Sequence, residues 1–125
     1  MRPRLPAFLH APARPGWRLL AICALLGAVT GLGQVPVGWW LAALAGLAGV
    51  IWASARAPGA ARAGWQGFAA GFGFACVTLY WIVEPFFVEP EVYGWMAPFA
   101  LVLMAAGMGL VWAVPLWVWP RLGRG

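Results

Sequence analysis

The chain has 125 residues, 64% of them hydrophobic and only 9% charged, against roughly half apolar and about a quarter charged in an ordinary soluble domain. A small domain buries only about two thirds of the surface its unfolded chain exposes, so a soluble fold of this length has no room for that much apolar side chain. The net charge of +5 comes from eight arginines, with no lysine, set in ones and twos beside apolar runs; no clustered basic face forms, and nucleic acid is not an expected partner.

Residues 1–16, "MRPRLPAFLHAPARPG", hold four prolines and three arginines, so no stable helix is expected before Trp17 and the stretch reads as a basic arm. His10 lies in this arm with no cysteine or carboxylate near it, and no metal site is expected.

An apolar run over residues 17–33 is read as the first transmembrane helix. Its basic flank and the core "LLAICALLGAV" also fit a secretory signal, which would leave a mature N-terminus near Gln34. The second run, 37–55, rises about 28 Å as a helix, close to the ~30 Å hydrocarbon thickness, and so fits one crossing. Trp39 and Trp40 at one end and Trp52 near the other suit indole rings at headgroup level. Residues 56–63, with Arg56, a Pro-Gly pair and Arg62, read as a tight loop.

Residues 64–83 give a third apolar run in which Gln66 is the one strongly polar side chain. Residues 84–94 form an acidic loop that holds all three carboxylates of the chain, Glu84, Glu89 and Glu91. A fourth run, 95–119, carries Pro98 and Pro115; neighbouring helices re-satisfy the carbonyl that a membrane proline frees, so Pro115 predicts a kink and no break. Residues 120–125 are a short basic tail.

The expected fold class is an all-α integral membrane protein with four transmembrane helices. If the first arm is cytoplasmic, four crossings put every arginine on the inner side and every glutamate on the outer side. That arrangement is the positive-inside distribution, with both termini in.

Small residues recur at helix-packing spacing in Gly27-x-x-x-Gly31, Gly67-x-x-x-Gly71 and Ala105-x-x-x-Gly109, which lets backbones approach where van der Waals packing must replace the hydrophobic drive. Glu84, one residue past the third run, is a candidate functional carboxylate, with a plain interfacial anchor as the alternative. Trp81, Phe86, Phe87 and Trp95 are candidates for lipid contact, and an aromatic belt accounts for the same residues. Cys23 and Cys76 sit inside apolar runs and read as packing residues. No nucleophile-base pair, phosphate-cradling loop or metal spacing is present, so no catalytic residue and no cofactor are assigned.

The run "GWQGFAAGFGFACVTLYWIVEPFF" followed by "YGWMAPFALVLMAAGMGLVWAVPLWVWPRL" resembles the third and fourth membrane helices of bacterial apolipoprotein N-acyltransferases. The earlier "GLGQVPVGWWLAALAGLAGVIWA" looks like that family's first hairpin, usually written with a Pro-Pro or Ser-Pro pair, then Gly, Trp and Pro; here Pro36, Gly38, Trp39 and Trp40 match, and Leu41 stands where the family often has Pro. Together the matches cover residues 17–122. The resemblance implies a multi-pass enzyme of the bacterial inner membrane that takes an acyl chain from a phospholipid, holds it as a thioester, and passes it to the N-terminal diacylglyceryl-cysteine of a lipoprotein. The family's Glu-Lys-Cys triad lies in a nitrilase-like domain that matches nothing here, so this chain is expected to be the N-terminal membrane portion, a truncated form or fragment, within a larger helical bundle. Its implied partners are membrane phospholipid, the remaining helices of the enzyme and, through the catalytic domain, the lipoprotein. The alternative is a small integral membrane assembly factor or transporter subunit without enzymatic activity.

Overall fold

The computed structural model describes residues 16–34 and 37–123. All but one residue of the 1–16 arm, including His10, and Arg124 lie outside the described residues. The described chain is helical, with no strand: α1 (Trp17–Gly31), α2 (Trp40–Ala55), α3 (Ala60–Thr78), a 3-10 segment (Tyr80–Phe87), α4 (Pro90–Tyr93), a 3-10 turn (Gly94–Met96) and α5 (Ala97–Leu122). The stretch Pro90–Leu122 is long and apolar enough to cross a membrane by itself. A second such unit arises if α3 and the 3-10 segment, bent by 47° at their junction, count as one.

Several element ends differ from the sequence reading for local reasons. Helix α2 starts at Trp40, three residues later than expected, because Gly38 takes φ +66°, a left-handed conformation that only glycine adopts cheaply and that no helix continues through. Helix α3 starts at Ala60, inside the stretch expected as loop, with Gly59 extended before it; Arg62 therefore belongs to its first turn. It stops at Thr78, short of 83, where the Thr78 hydroxyl donates to the Phe74 carbonyl at 3.0 Å, a back-bond that bends helices. Residues 84–94, expected as an acidic loop between two helices, are wound largely into short helical turns. Helix α5 runs through Pro115 without interruption, as expected, and on through Pro120.

Helix α3 is the centre of the bundle, packed on α1 along one face and on α5 along another, while α2 lies chiefly against α1. The interfaces are built from small residues. A Cβ added at Gly27 would overlap the Ala70 carbonyl, and one added at Gly73 would overlap that of Ala24. On the other side of α3, a Cβ at Gly67 would come 2.8 Å from the Trp112 oxygen and one at Gly71 2.9 Å from the Gly109 Cα. Gly46 bears likewise on Leu26 and Thr30. The three small-residue pairs expected from the sequence all fall in these interfaces, with Ala105 fully buried. Phe74 and Trp112 close the α3–α5 seam, their rings 5.1 Å apart.

The distribution of side chains is the reverse of a soluble fold. The fully buried residues are small, among them Cys23, Ala63, Ala70, Ala75 and Ala105, whereas Leu103 is 72% exposed and Trp119 72%. Small residues inside and large apolar ones outside is the arrangement of helices that pack in lipid.

Candidate functional site

The pairings fix the direction of every long helix. Gly67 faces Trp112 and Leu116 while Gly71 faces Gly109, so α3 and α5 are antiparallel; Gly46 faces Leu26 and Thr30 while Gly49 faces Leu26, so α1 and α2 are antiparallel. Gly31 faces Val77 and Phe74, which puts the ends of α1 and α3 together. Arg18, Arg56, Arg62 and Arg121 therefore collect at one end of the bundle, and Glu84, Glu89 and Glu91 follow the far end of α3. Three of the arginines lie over indole rings, Arg18 at 5.6 Å from Trp17, Arg56 at 4.0 Å from Trp52 and Arg121 at 3.4 Å from Trp117. Such cation–π stacking lets a guanidinium rest beside apolar surface while its head stays in water.

At the carboxylate end the candidate lipid-contact residues come together in one cap. Trp81, Glu84, Phe86 and Phe87 share the 3-10 segment, which packs on α5, α4 and the end of α3. Trp81 and Phe87 are exposed, Phe86 is half-buried and Glu84 is exposed. Trp95 follows in the next turn, its indole Nε1 donating to the Val92 carbonyl at 3.0 Å and its ring 6.2 Å from Phe99. The cap thus carries the exposed aromatics Trp81, Phe87 and Trp95 together with three exposed glutamates. Among the described residues no group of three His, Cys, Asp or Glu side chains is placed to hold a metal, and nothing in the cap pairs a nucleophile with a base.

Two further features escape the sequence reading. An apolar groove of about 380 Å³ opens between α3 and α5 near the arginine end, lined by Gly64, Trp65, Phe68, Leu110 and Trp117 among others. At the other end a pocket of about 280 Å³ sits between the tops of α1 and α3, with Gln34, Cys76, Thr78 and Tyr80 in its wall. The glycine in each wall, Gly64 in the groove and Gly31 in the pocket, is the nearest thing to a sequence signal, and seventeen glycines give no way to choose.

The fold and its charge arrangement define a class, a helical membrane protein packed through small residues. The family is given by comparison: the family model described as apolipoprotein N-acyltransferase N-terminal domain matches residues 26–125, and the chain belongs to that family. It is similar to the apolipoprotein N-acyltransferase of Ralstonia nicotianae, 33% identical over 104 residues, covering 83% of this chain and 20% of the relative. The Caulobacter vibrioides protein is 34% identical, over 78% of this chain and 19% of the relative. The Pseudomonas putida protein is 36% identical, over 86% and 21%. The chain therefore spans about a fifth of the length of the curated relatives it matches. No solved structure matches it.

Proposed function

We propose that this chain is the N-terminal part of the membrane platform of an apolipoprotein N-acyltransferase, crossing the bacterial inner membrane four times with both termini in the cytoplasm. The observation that carries this reading is the collection of Arg18, Arg56, Arg62 and Arg121 at one end of the bundle and of all three glutamates beyond the other, the positive-inside distribution. The helix lengths support it when taken together. Helix α1 rises about 18 Å from Arg18 to Thr30, and Trp40 stands about 9 Å beyond the level where Thr30 meets Gly46, which makes about 27 Å against a hydrocarbon core of ~30 Å. Helices too short alone thus share one belt.

In this reading the chain performs no chemistry. Its aromatic cap, Trp81, Phe86, Phe87 and Trp95, lies at the outer interface and holds phospholipid acyl chains for a catalytic domain outside this chain, with Glu84 among the lipid headgroups. Fixing a reactant in place contributes several kcal/mol to a rate without any reacting side chain. The test is reconstitution of the purified chain with a palmitate-bearing phospholipid and a diacylglyceryl-cysteine peptide. No acyl transfer is expected, while a photoactivatable phospholipid crosslinks to residues 81–95; transfer by the chain alone would overturn the reading.

A further inference from the structure

We infer that the pocket between the tops of α1 and α3 is a water-filled crevice that opens from the outer side and reaches well below the headgroup level. The inference rests on the four-crossing reading and adds a hydrated route into the outer half of the membrane, next to the aromatic cap.

The argument starts from where the helices stop. Val77 lies six residues outward of Gly71, whereas Ala97 lies twelve outward of Gly109, the residue that Gly71 meets. At 1.5 Å per residue α5 therefore continues about 9 Å past Val77. The other side of the bundle gives the same step: Trp40 stands about 9 Å beyond the Thr30–Gly46 level, while α1 ends at Gly31. Helices α1 and α3 both end below a rim formed by the starts of α2 and α5. The turn at Leu32–Gln34 and the 3-10 segment after α3 lie at the step.

Turns and open helix ends below the headgroup level are tolerated only where protein buries them or where they line a water-filled cavity. Here the wall of the space combines both kinds of surface. Gly31, Val37 and Val77 are apolar, whereas Gln34, Cys76, Thr78 and Tyr80 bring an exposed amide, a thiol and two hydroxyls. Gln34 and Tyr80 are exposed, the latter by 52%. A carboxamide facing hydrocarbon without a partner costs several kcal/mol, so its exposure there requires water. At ~30 Å³ per water molecule the space of about 280 Å³ holds several.

Thiol chemistry reads this directly, because maleimides react with the thiolate and a thiolate does not form in hydrocarbon. Cys76 is partly exposed in the crevice wall, and Cys23 is fully buried between helices. In spheroplasts, the Cys23→Ala variant is expected to be labelled at Cys76 by a membrane-impermeant maleimide added outside, at least ten times faster than Cys23 in the Cys76→Ser variant. A second variant, Cys76→Ser with Gln34→Cys, keeps Cys23 as an internal report of intact packing and is expected to label at residue 34 while Cys23 stays protected. Labelling of Cys76 and residue 34 only by a lipid-soluble maleimide, or only after unfolding in detergent, would overturn the inference. Labelling by the impermeant reagent only from the cytoplasmic face would leave the crevice hydrated and overturn the orientation instead.

Discussion

Gly27 of α1 lies so close against Ala70 of α3 that a methyl group on its Cα would overlap the Ala70 carbonyl oxygen. The reciprocal approach of Gly73 to Ala24 makes this crossing the tightest point of the bundle, and no side chain larger than hydrogen fits at either position. Gly27→Val is therefore expected to force α1 and α3 apart and to cost about 3 kcal/mol, the upper range for overpacking. Gly107, which has open space around it on the same kind of helix, supplies the contrast: Gly107→Ala should be neutral or stabilising by up to ~1 kcal/mol. Unfolding in mixed micelles with increasing SDS measures both.

The α3–α5 seam gives a graded version of the same effect. A Cβ at Gly71 would meet the Trp112 side chain at 2.8 Å and the Gly109 Cα at 2.9 Å, and the backbone neighbour cannot rotate away. Gly71→Ala is expected to destabilise by about 1–2 kcal/mol and Gly71→Leu by more, read as successive drops in the melting temperature of the detergent-solubilised protein.

Gln66 is 2% exposed and its Oε1 has no hydrogen-bond partner. A buried acceptor left unpaired costs about 1–3 kcal/mol, so Gln66→Leu should raise stability by about 1 kcal/mol. Gln66→Glu places a carboxylate in the same dry position and should lower it. A melting temperature that falls in the leucine variant would show that the amide has a partner after all.

Trp117 packs over Gly64 on α3 and lies under the Arg121 guanidinium, whereas Trp119, two residues on, is 72% exposed. Trp117→Ala should cost about 2 kcal/mol, reduced from the usual 3–5 for a buried Trp because the ring is only partly covered. Trp119→Ala should fall within 0.5 kcal/mol of the parent. Equal losses at the two sites would mean that the α5 end packs differently.

The connection between α2 and α3 carries Arg56 and Arg62 at or beside the helix ends. In the four-crossing reading proposed above, reversing both charges, Arg56→Glu with Arg62→Glu, removes the bias that would hold this connection inside. A paired reporter fused after residue 123, active as a phosphatase only outside and fluorescent only inside, should change from a uniform inside signal to a mixture.

Much of the fold was legible because lipid imposes few rules. Apolar runs of helical length, prolines and glycines at their ends, and the separation of Arg from Glu gave the order of the four long helices and their alternating directions. The pairs Gly27–Gly31, Gly67–Gly71 and Ala105–Gly109 were visible as spacing, and all three lie in interfaces. What stayed hidden depends on which face meets which neighbour. A helix that is apolar all round marks no face, so Gly46 and Gly73 could not be told from Gly107. The bend after Thr78 follows a residue whose hydroxyl is bonded to the Phe74 carbonyl, a choice of rotamer that spacing does not encode. Trp81, Phe86, Phe87 and Trp95 could be singled out by residue type, but the placing of the first three on one 3-10 segment with Trp95 in a later turn, and the lower ends of α1 and α3 beside them, are properties of the assembled bundle.

The central place of α3 has a consequence for biosynthesis. Because α1 makes its closest crossing with a helix that is translated after α2, in the four-crossing reading proposed above the first hairpin would enter the bilayer with its Gly27 stripe uncovered and wait there until residue 78 has left the ribosome. A pause in translation before that point prolongs the life of a half-built hairpin whose small-residue groove is open to any other helix diffusing past.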